Sequence, residues 1–224
     1  TILVGPGTYA EAIIINKPNL TIESTGGAAN TIIDVPNGSY TTGVKFLGTN
    51  LGTLTFDGFT VKDFTEQGIV QGMSSATGTT VHVLNNVVIP AGTYLRNGIQ
   101  VSGNGSTVIG NTVSNAYLTT DWGGTAIHVV NASGVTVQGN TINGNGDVAI
   151  GIDNYSATLV QNISIEGNII SGSDVAIGVQ GGPDATGKIV SNLTIIDNDF
   201  GTSLEGIDIA YVTLGGANVV DGND

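Results

Sequence analysis

One segment near the middle of this chain indicates its architecture: GVTVQGNTINGNGDVAIGIDN, residues 134–154. Val135 and Val137 alternate with polar residues before Asn140, and the alternation resumes after a short polar turn. Alternation with a period of two predicts short strands that bury one face. Runs of ten or more residues with apolar side chains at helical spacing do not occur, so crossover helices are not expected.

The same pattern recurs along most of the chain, as in TVIGNTV (residues 107–113) and ISIEGNII (residues 163–170). One position of it is occupied in turn by Phe59, Asn86, Asn111, Asn140, Asn168, Asn198 and Asn223, at steps of 27, 25, 29, 28, 30 and 25 residues. A unit of this length can wind once around, and its buried face needs the next unit as a partner. We expect Asn at a tight corner because it tolerates left-handed backbone and bonds its neighbour in a ladder, with Phe59 supplying a stacked ring instead.

The repeat therefore predicts an all-β fold, a single-stranded right-handed parallel β-helix with three faces and seven or eight coils. At ~4.8 Å per coil the rod is roughly 35 to 40 Å long. The opening segment ILVGPGTYAEAIIINKPNLTIES (residues 2–24) resembles the entry segment of the pectin-lyase-like β-helix superfamily, and the later units resemble its parallel β-helix repeats. This resemblance covers nearly the whole chain.

The resemblance implies a scaffold and not an activity, because such helices include lyases, hydrolases, esterases, epimerases, adhesins and phage tail proteins. The spacing of Gly7, Tyr9 and Glu11 is similar to a short pectinesterase motif, but the catalytic Asp segments and the Arg-Pro-Trp segment of that family have no counterpart. The paired-Asp and Gly-His-Gly segments of polygalacturonases and the Asp-Pro-His segment of alginate epimerases are also missing.

Composition limits the partners of this chain. Eighteen acidic against five basic residues leave a formal charge of −13, which disfavours nucleic acid and anionic membranes. An anionic polysaccharide is also disfavoured unless calcium or a local basic cluster intervenes. The sequence has no cysteine, which excludes disulfides and thiolate metal sites, and no apolar run of the ~18 residues that membrane insertion needs. We expect residues 1–224 to be one domain, cut or processed from a longer chain, that is extracellular or at the cell surface.

In each repeat unit a strand begins at the second apolar run. Stacked over successive coils, these strands form a surface that we call the front face. Its first outward positions are predicted to be Lys45, Val70, Gln100, His128, Gly151, Gly178 and Asp208, stacked ~4.8 Å apart. The stretch from Ser24 to Tyr40 contains Gly26, Gly27 and Pro36 and is expected to be an inserted loop outside the repeat.

The two longest corners, residues 90–98 and 113–125, precede the front face and hold several rare residue types. The candidate carbohydrate-binding residues are Tyr94, Arg96, Tyr117, Asp121 and Trp122 from these corners, and His128, Asp153 and Tyr155 from the front face. Exposed rings beside carboxylates suit a sugar, because the ring covers the apolar face of the pyranose while polar groups bind its hydroxyls. In the alternative interpretation the aromatic residues pack their own loops and Arg96 pairs with Asp121.

Two catalytic chemistries are compatible with the same groove. A lyase would use His128 or Lys45 as the base and Arg96 as the cation that holds the enolate. A hydrolase would use two carboxylates at a defined separation, taken from Asp121, Asp147 and Asp153. No metal site is predicted. The oxygen ligands at residues 197–199 and 221–224 suit calcium but lack the spacing of a full loop site, and ordinary turn chemistry explains them better.

We predict a β-helix module with a structural or carbohydrate-binding role, and as the alternative a polysaccharide lyase, hydrolase or epimerase. End-to-end association into filaments is a further expectation. Ile2 and Val4 begin a strand without a preceding cover, and Val220 and Asn223 are still in register at the other end.

Overall fold

The computed structural model describes residues 1–36, 41–92, 96–114, 124–144, 146–156, 159–181 and 188–224. Within these ranges the chain forms 25 strands and one 3-10 turn, Met73–Ser75. The strands of the first half are β1 (Ile2–Val4), β2 (Gly7–Tyr9), β3 (Ile13–Ile15), β4 (Thr21–Ser24), β5 (Thr31–Asp34), β6 (Thr42–Phe46), β7 (Gly52–Asp57), β8 (Thr60–Lys62), β9 (Gln67–Gln71), β10 (Thr79–Leu84), β11 (Val87–Ile89) and β12 (Asn97–Val101). Those of the second half are β13 (Thr107–Ile109), β14 (Thr112–Ser114), β15 (Thr125–Val130), β16 (Thr136–Gln138), β17 (Thr141–Asn143), β18 (Val148–Asp153), β19 (Leu159–Glu166), β20 (Ile169–Ser171), β21 (Val175–Gln180), β22 (Ile189–Ile196), β23 (Glu205–Ala210), β24 (Thr213–Gly215) and β25 (Val219–Asp221).

The strands form three parallel sheets that wrap around one core, as the repeat predicts. Ten strands from β1 to β25 make the first sheet, seven from β2 to β20 the second, and eight from β3 to β23 the third. Each of the first seven coils contributes one strand to each sheet in turn, from β1, β2 and β3 to β19, β20 and β21. The fold is a right-handed parallel β-solenoid of about seven turns, and the predicted fold class is confirmed.

The core is a stack of equivalent apolar side chains. One column runs through the first sheet as Phe56, Val83, Val108, Val137, Ile165 and Ile195, each paired with the next and each fully buried. Phe56 also stacks on Phe59, with ring centroids 4.4 Å apart. Large rings fill the early coils and β-branched side chains the later ones, which suits strand geometry at both ends of the stack.

The predicted Asn ladder occupies the corner between the first and second sheets. The backbone N–H groups of Phe59, Asn86, Asn111, Asn140, Asn168 and Asn198 each donate to the Oδ1 atom of the next ladder Asn, at 2.9 to 3.1 Å. Each ladder Nδ2 also donates to a strand carbonyl one coil back, for example from Asn140 to Val108 at 2.9 Å. These bonds satisfy backbone groups that the tight corner leaves without a strand partner.

Two sequence-based expectations about the coils are wrong. The left-handed residue of the corner is not the ladder Asn but the residue before it, as at Asn85 (φ 51°), Gly139 (φ 60°) and Asp197 (φ 54°). The stretch from Ser24 to Tyr40 is not an insertion outside the repeat, because β5 lies within it and pairs with β2 and β8. Its glycines and Pro36 flank a four-residue strand too short to show periodicity.

Candidate functional site

The front face, which is the outer surface of the third sheet, carries a cleft of about 590 Å3. Strand pairing confirms the predicted outward row: Lys45, Val70, Gln100, His128, Gly151, Gly178 and Asp208 are consecutive register partners. The cleft extends over six coils and is lined by Gln67, Met73, Arg96, Asn97, Gln100, Thr125, His128, Val130, Asp147, Val148, Gly151, Asp153, Tyr155, Val175, Gly178, Gln180 and Asp208.

A hydrogen-bonded trio lies at the centre of this cleft. His128 Nε2 lies 2.6 Å from Asp153 Oδ2, and the Tyr155 hydroxyl donates to the same oxygen at 2.5 Å. Because a carboxylate only accepts hydrogen bonds, Nε2 is the nitrogen that carries the proton. The Tyr155 ring stands edge-on to the imidazole, with centroids 6.4 Å apart.

The trio is held in a partly desolvated environment. The side chains of His128 and Asp153 are each 11% exposed, whereas Tyr155 is 42% exposed and lines the cleft. Burial raises the pKa of the Tyr155 hydroxyl well above its usual range, and its hydrogen bond to the Asp153 carboxylate adds to the rise. Tyr155 is therefore a neutral donor throughout the physiological range.

The strand geometry explains why these residues meet. His128 on β15 is paired with Gly151, and Asp153 lies two residues further along β18, so the two side chains are diagonal neighbours on one face. A Cβ atom on Gly151 would lie 3.0 Å from Thr125 Cγ2, which is tight, and 3.5 Å from the Cδ2 atom of the imidazole, which is ordinary contact. A larger side chain there would displace the ring, and glycine lets it lean across to Asp153.

The rim of the cleft near Met73 is tied to the neighbouring coils. Asn131 Nδ2 donates to Met73 Sδ at 2.8 Å and to Ser156 Oγ at 2.9 Å, while Asn131 Oδ1 accepts from the Ser156 backbone N–H. Asn131 itself is left-handed, with φ 53°, a conformation that Asn tolerates. The thioether is thereby fixed in the cleft lining.

A buried glutamine supports the corner that bears this rim. Gln71 Oε1 accepts from the backbone N–H groups of Ser102 (3.1 Å) and Gly103 (2.8 Å), and Gln71 Nε2 donates to the Thr79 carbonyl at 3.0 Å. A Cβ atom on Gly103 would lie 2.0 Å from the Thr79 carbonyl oxygen, so only glycine fits this approach. The network is fully buried and joins adjacent coils where they turn.

The charge of the lining is predominantly negative. Asp147, Asp153 and Asp208 line the cleft together with one cation, the exposed Arg96. Lys188, from the following coil, donates to the backbone carbonyl of Tyr155.

Five of the predicted site residues are brought together here: Arg96, His128, Asp147, Asp153 and Tyr155. Tyr94, Tyr117, Asp121 and Trp122 lie outside the described residues. Sequence reasoning missed Met73, Gln180 and Asp208 as site residues. Asp208 was in the predicted outward row, and that register was a sufficient signal for it, whereas the position of Met73 depends on the corner it occupies.

The two candidate bases, His128 and Lys45, are placed differently in the structure. Nδ1 of His128 is enclosed, and no donor among the described residues reaches it. A base role for His128 would require this nitrogen to become accessible. Lys45, the other candidate base, lies in the same row on β6, three coils before His128.

At both segments considered for calcium, Asn and Asp side chains form hydrogen bonds within the ladder and its turns. Asn198 and Asn223 use their amides in the ladder, and Asp199 Oδ1 and Asp221 Oδ1 accept backbone N–H groups of their own turns. Across the described ranges, no group of three or more His, Asp or Glu side chains is arranged to hold a metal ion.

Comparison with known proteins places this chain in a family. Residues 42–224 match the family described as the right-handed beta helix region, and the chain belongs to it. The predicted superfamily resemblance is thereby confirmed. None of the curated proteins matches the sequence.

Several solved structures are similar in fold. The Dettilon tailspike protein aligns with 99% of this chain and 57% of its own chain, at 13% identity and a TM-score of 0.57. This chain therefore spans little more than half the length of that protein. The catalytic domain of GH87 alpha-1,3-glucanase in complex with nigerose matches at 10% identity and a TM-score of 0.36, over 99% of this chain and 61% of its own. The mannuronan C-5 epimerase AlgE4 A-module of Azotobacter vinelandii matches at 14% identity and a TM-score of 0.30, over 97% of this chain and 90% of its own. Among the described residues, no helix is long and apolar enough to cross a membrane.

Proposed function

We propose that this β-helix is an extracellular or cell-surface module that binds carbohydrate in the front-face cleft. The observation that carries the proposal is the His128–Asp153–Tyr155 trio, in which a half-exposed aromatic ring is fixed by hydrogen bonds beside a carboxylate. A ring held in one orientation binds a pyranose without a further loss of side-chain entropy. We also propose that residues 1–224 are one domain, because the three sheets continue from coil to coil.

The dimensions of the cleft agree with this proposal. Its volume, about 590 Å3, is within the range of small-ligand sites. Its lining combines apolar side chains such as Val148 and Val175 with amide donors such as Gln100 and Gln180. A sugar presents the same combination of an apolar face and a polar edge.

Affinity electrophoresis and titration calorimetry test the proposal with dextran, laminarin, galactomannan and polygalacturonate. We expect at least one of them to bind, and Tyr155→Ala to weaken that binding at least tenfold because the fixed ring is lost. Tyr211→Ala is the matched control, since Tyr211 is 62% exposed and is not part of the cleft lining. Binding that is unaffected by Tyr155→Ala, or equally affected by both substitutions, would place the site elsewhere.

A polysaccharide-active enzyme is the second candidate. It is favoured by the 2.6 Å contact of His128 with Asp153, since a carboxylate that orients an imidazole is a common arrangement for proton transfer. Incubation with the same polysaccharides, followed by assays of reducing ends and of unsaturated products, distinguishes hydrolysis from elimination. Product formation that His128→Ala and Asp153→Asn abolish would establish the enzyme, and the absence of product with intact binding would favour the binding module.

A further inference from the structure

The cleft contains a trough whose bottom has no side chains. Gly151 and Gly178 are consecutive partners in the middle of β18 and β21, and both have ordinary extended backbone. Glycine weakens a strand unless it marks a bulge or the close approach of another group. Neither residue has the positive φ that would require glycine, so another reason is needed for its presence at these two positions.

Neither glycine is required by a clash with backbone. At Gly151 the nearest atoms to an added Cβ are side-chain atoms, Thr125 Cγ2 at 3.0 Å and His128 Cδ2 at 3.5 Å. At Gly178 the nearest atoms to an added Cβ are the two methyl groups of Val148, at 3.1 and 3.6 Å, and Gln180 Nε2 at 4.0 Å. These are side-chain atoms at the half-buried rim of the cleft, and small rotations of Val148 would accommodate a methyl group.

The two walls of the trough differ in chemistry. On one side the outward residues preceding the glycines are Val148 and Val175, which are paired and half-buried. On the other side the outward residues following them are Asp153 and Gln180, which are also paired. An apolar wall thus faces a polar wall across a floor formed by the two glycines, with the imidazole of His128 beside Gly151 at one end.

Charged and hydrogen-bonding groups lie at the two ends of the trough. His128 precedes Gly151 in the row and Asp208 follows Gly178. Three coil spacings of ~4.8 Å separate them, roughly 14 Å in all. That length exceeds one pyranose ring, and both Asp208 and Asp153 would repel a carboxylate placed between them.

We infer that the trough is a subsite for an uncharged pyranose, which enters edge-first with its C–H face on Val148 and Val175 and its hydroxyls towards Asp153 and Gln180. This subsite rests on the proposed carbohydrate-binding function and specifies its ligand class. Gly178 is then a specificity-determining residue, because any side chain there would fill the bottom of the trough. Asp208 makes the subsite selective for neutral sugars over uronates.

Calorimetry with maltohexaose, cellohexaose, mannohexaose and hexagalacturonate tests the inference on the whole chain. We expect wild type to bind a neutral hexasaccharide more tightly than hexagalacturonate, and Gly178→Ala to weaken that binding at least tenfold. Gly215→Ala is the matched control: Gly215 is also extended and lies in β24 of another sheet, and its added Cβ would be 3.1 Å from an Ile189 methyl group, as at Gly178. It should leave affinity within twofold, and both variants should unfold within a few degrees of wild type.

The outcomes separate the subsite from the function on which it rests. If wild type binds none of the four hexasaccharides and none of the polysaccharides above, the proposed function fails and the subsite with it. If a neutral hexasaccharide binds but Gly178→Ala binds it equally well, only the subsite inference is overturned. Tighter binding of hexagalacturonate than of every neutral hexasaccharide would overturn the assignment of an uncharged ligand, whereas a gain in hexagalacturonate affinity in Asp208→Asn supports it.

Discussion

The fold holds the Tyr155 hydroxyl in its neutral form. Its folded pKa is raised, mainly by burial and then by its bond to Asp153, so the fold favours the neutral phenol. A raised folded pKa contributes stability that is fully present below the unfolded value, about 10 for tyrosine, and is lost as pH rises through the folded value. Between these two values the unfolded chain releases the proton and the folded chain retains it.

We therefore predict that Tyr155→Phe flattens the alkaline decline in stability. Chemical unfolding at pH 8 and pH 11 should show a smaller loss of unfolding free energy in the variant than in wild type, because Phe has no proton to lose. Other tyrosines and lysines titrate in both proteins and cancel in the comparison. An identical decline in the two proteins would show that the Tyr155 hydroxyl is not held neutral by the fold.

Substitutions at Gly139 test how much the left-handed backbone of one corner contributes to stability. Its φ is 60°, and an added Cβ would meet no atom within 4 Å, so a substitution there changes strain and not packing. Gly139→Ala should destabilise the protein by about 1–2 kcal/mol, the usual penalty for left-handed backbone. Gly139→Asn should destabilise it less, because Asn85, the equivalent corner residue two coils earlier, is itself left-handed. Urea unfolding measures both; equal losses would show that the corner has no preference for Asn over Ala.

The residues of the site were only partly predictable from the sequence. Strand alternation and the repeat step placed both His128 and Asp153 on the front face, and the structure has them in hydrogen-bond contact. The bond from Tyr155 depends on the path of the chain just after β18 and on a side-chain rotamer, neither of which is encoded in periodicity. The same is true of the contact between Met73 and Asn131, which are 58 residues apart in the sequence.

At the scale of elements, the Asn ladder joins the first sheet to the second in successive coils. Asn140 donates from N and Nδ2 to Asn168 Oδ1, donates from Nδ2 to the Val108 carbonyl, and accepts from Asn111. The ladder was predictable because a corner residue that bonds its equivalents must recur at each coil. The left-handed position was assigned one residue too late, because both Asn and Gly tolerate that backbone and both occur there.

Asn140→Leu should lower the free energy of unfolding by about 1–3 kcal/mol, since it leaves the Asn111 N–H and the Val108 carbonyl buried without partners. Asn143→Leu is the control: Asn143 is exposed three residues later, and its Oδ1 atom accepts a hydrogen bond from the Ser171 hydroxyl near the surface. We expect that change to stay within about 0.5 kcal/mol. Urea unfolding of both variants measures the difference, and equal losses would show that the ladder amides add little to stability.

The β5 strand marks the limit of periodicity as a guide to elements. It consists of four residues, Thr31–Asp34, and lies between Gly26-Gly27 and Pro36, which favour turns and hide the strand preference of its Thr and Ile residues. Pairing with β2 and β8 on both edges stabilises it, and the partners lie in other coils. Tertiary context of this kind cannot be read from a window of a few residues.

At the scale of the whole molecule, charge opposes the compact state. The formal charge is −13. One of its few cations, Lys62, already lies between Asp34 and Asp63, at 2.8 and 2.7 Å from their carboxylates. This pair lowers the pKa of Asp34 and raises that of Lys62, yet it is about a third exposed and contributes little to stability. Most of the acidic surface therefore remains without a compensating cation, and its mutual repulsion is long-ranged at low ionic strength.

We accordingly predict that sodium chloride stabilises this protein at neutral pH. Raising the salt from about 0.01 M to about 0.15 M shortens the Debye length from about 30 Å to about 8 Å, which screens repulsion between carboxylates on different coils. The thermal midpoint should rise by roughly 2–4 °C for each kcal/mol of repulsion removed. The same salt series at pH 4.1, the isoelectric point of the sequence, is the control, because the net charge is then near zero and the rise should disappear. Differential scanning calorimetry measures both series. An equal rise at both pH values would mean that salt acts through the hydration of apolar surface, and that repulsion among the carboxylates does not limit the stability of the coil stack.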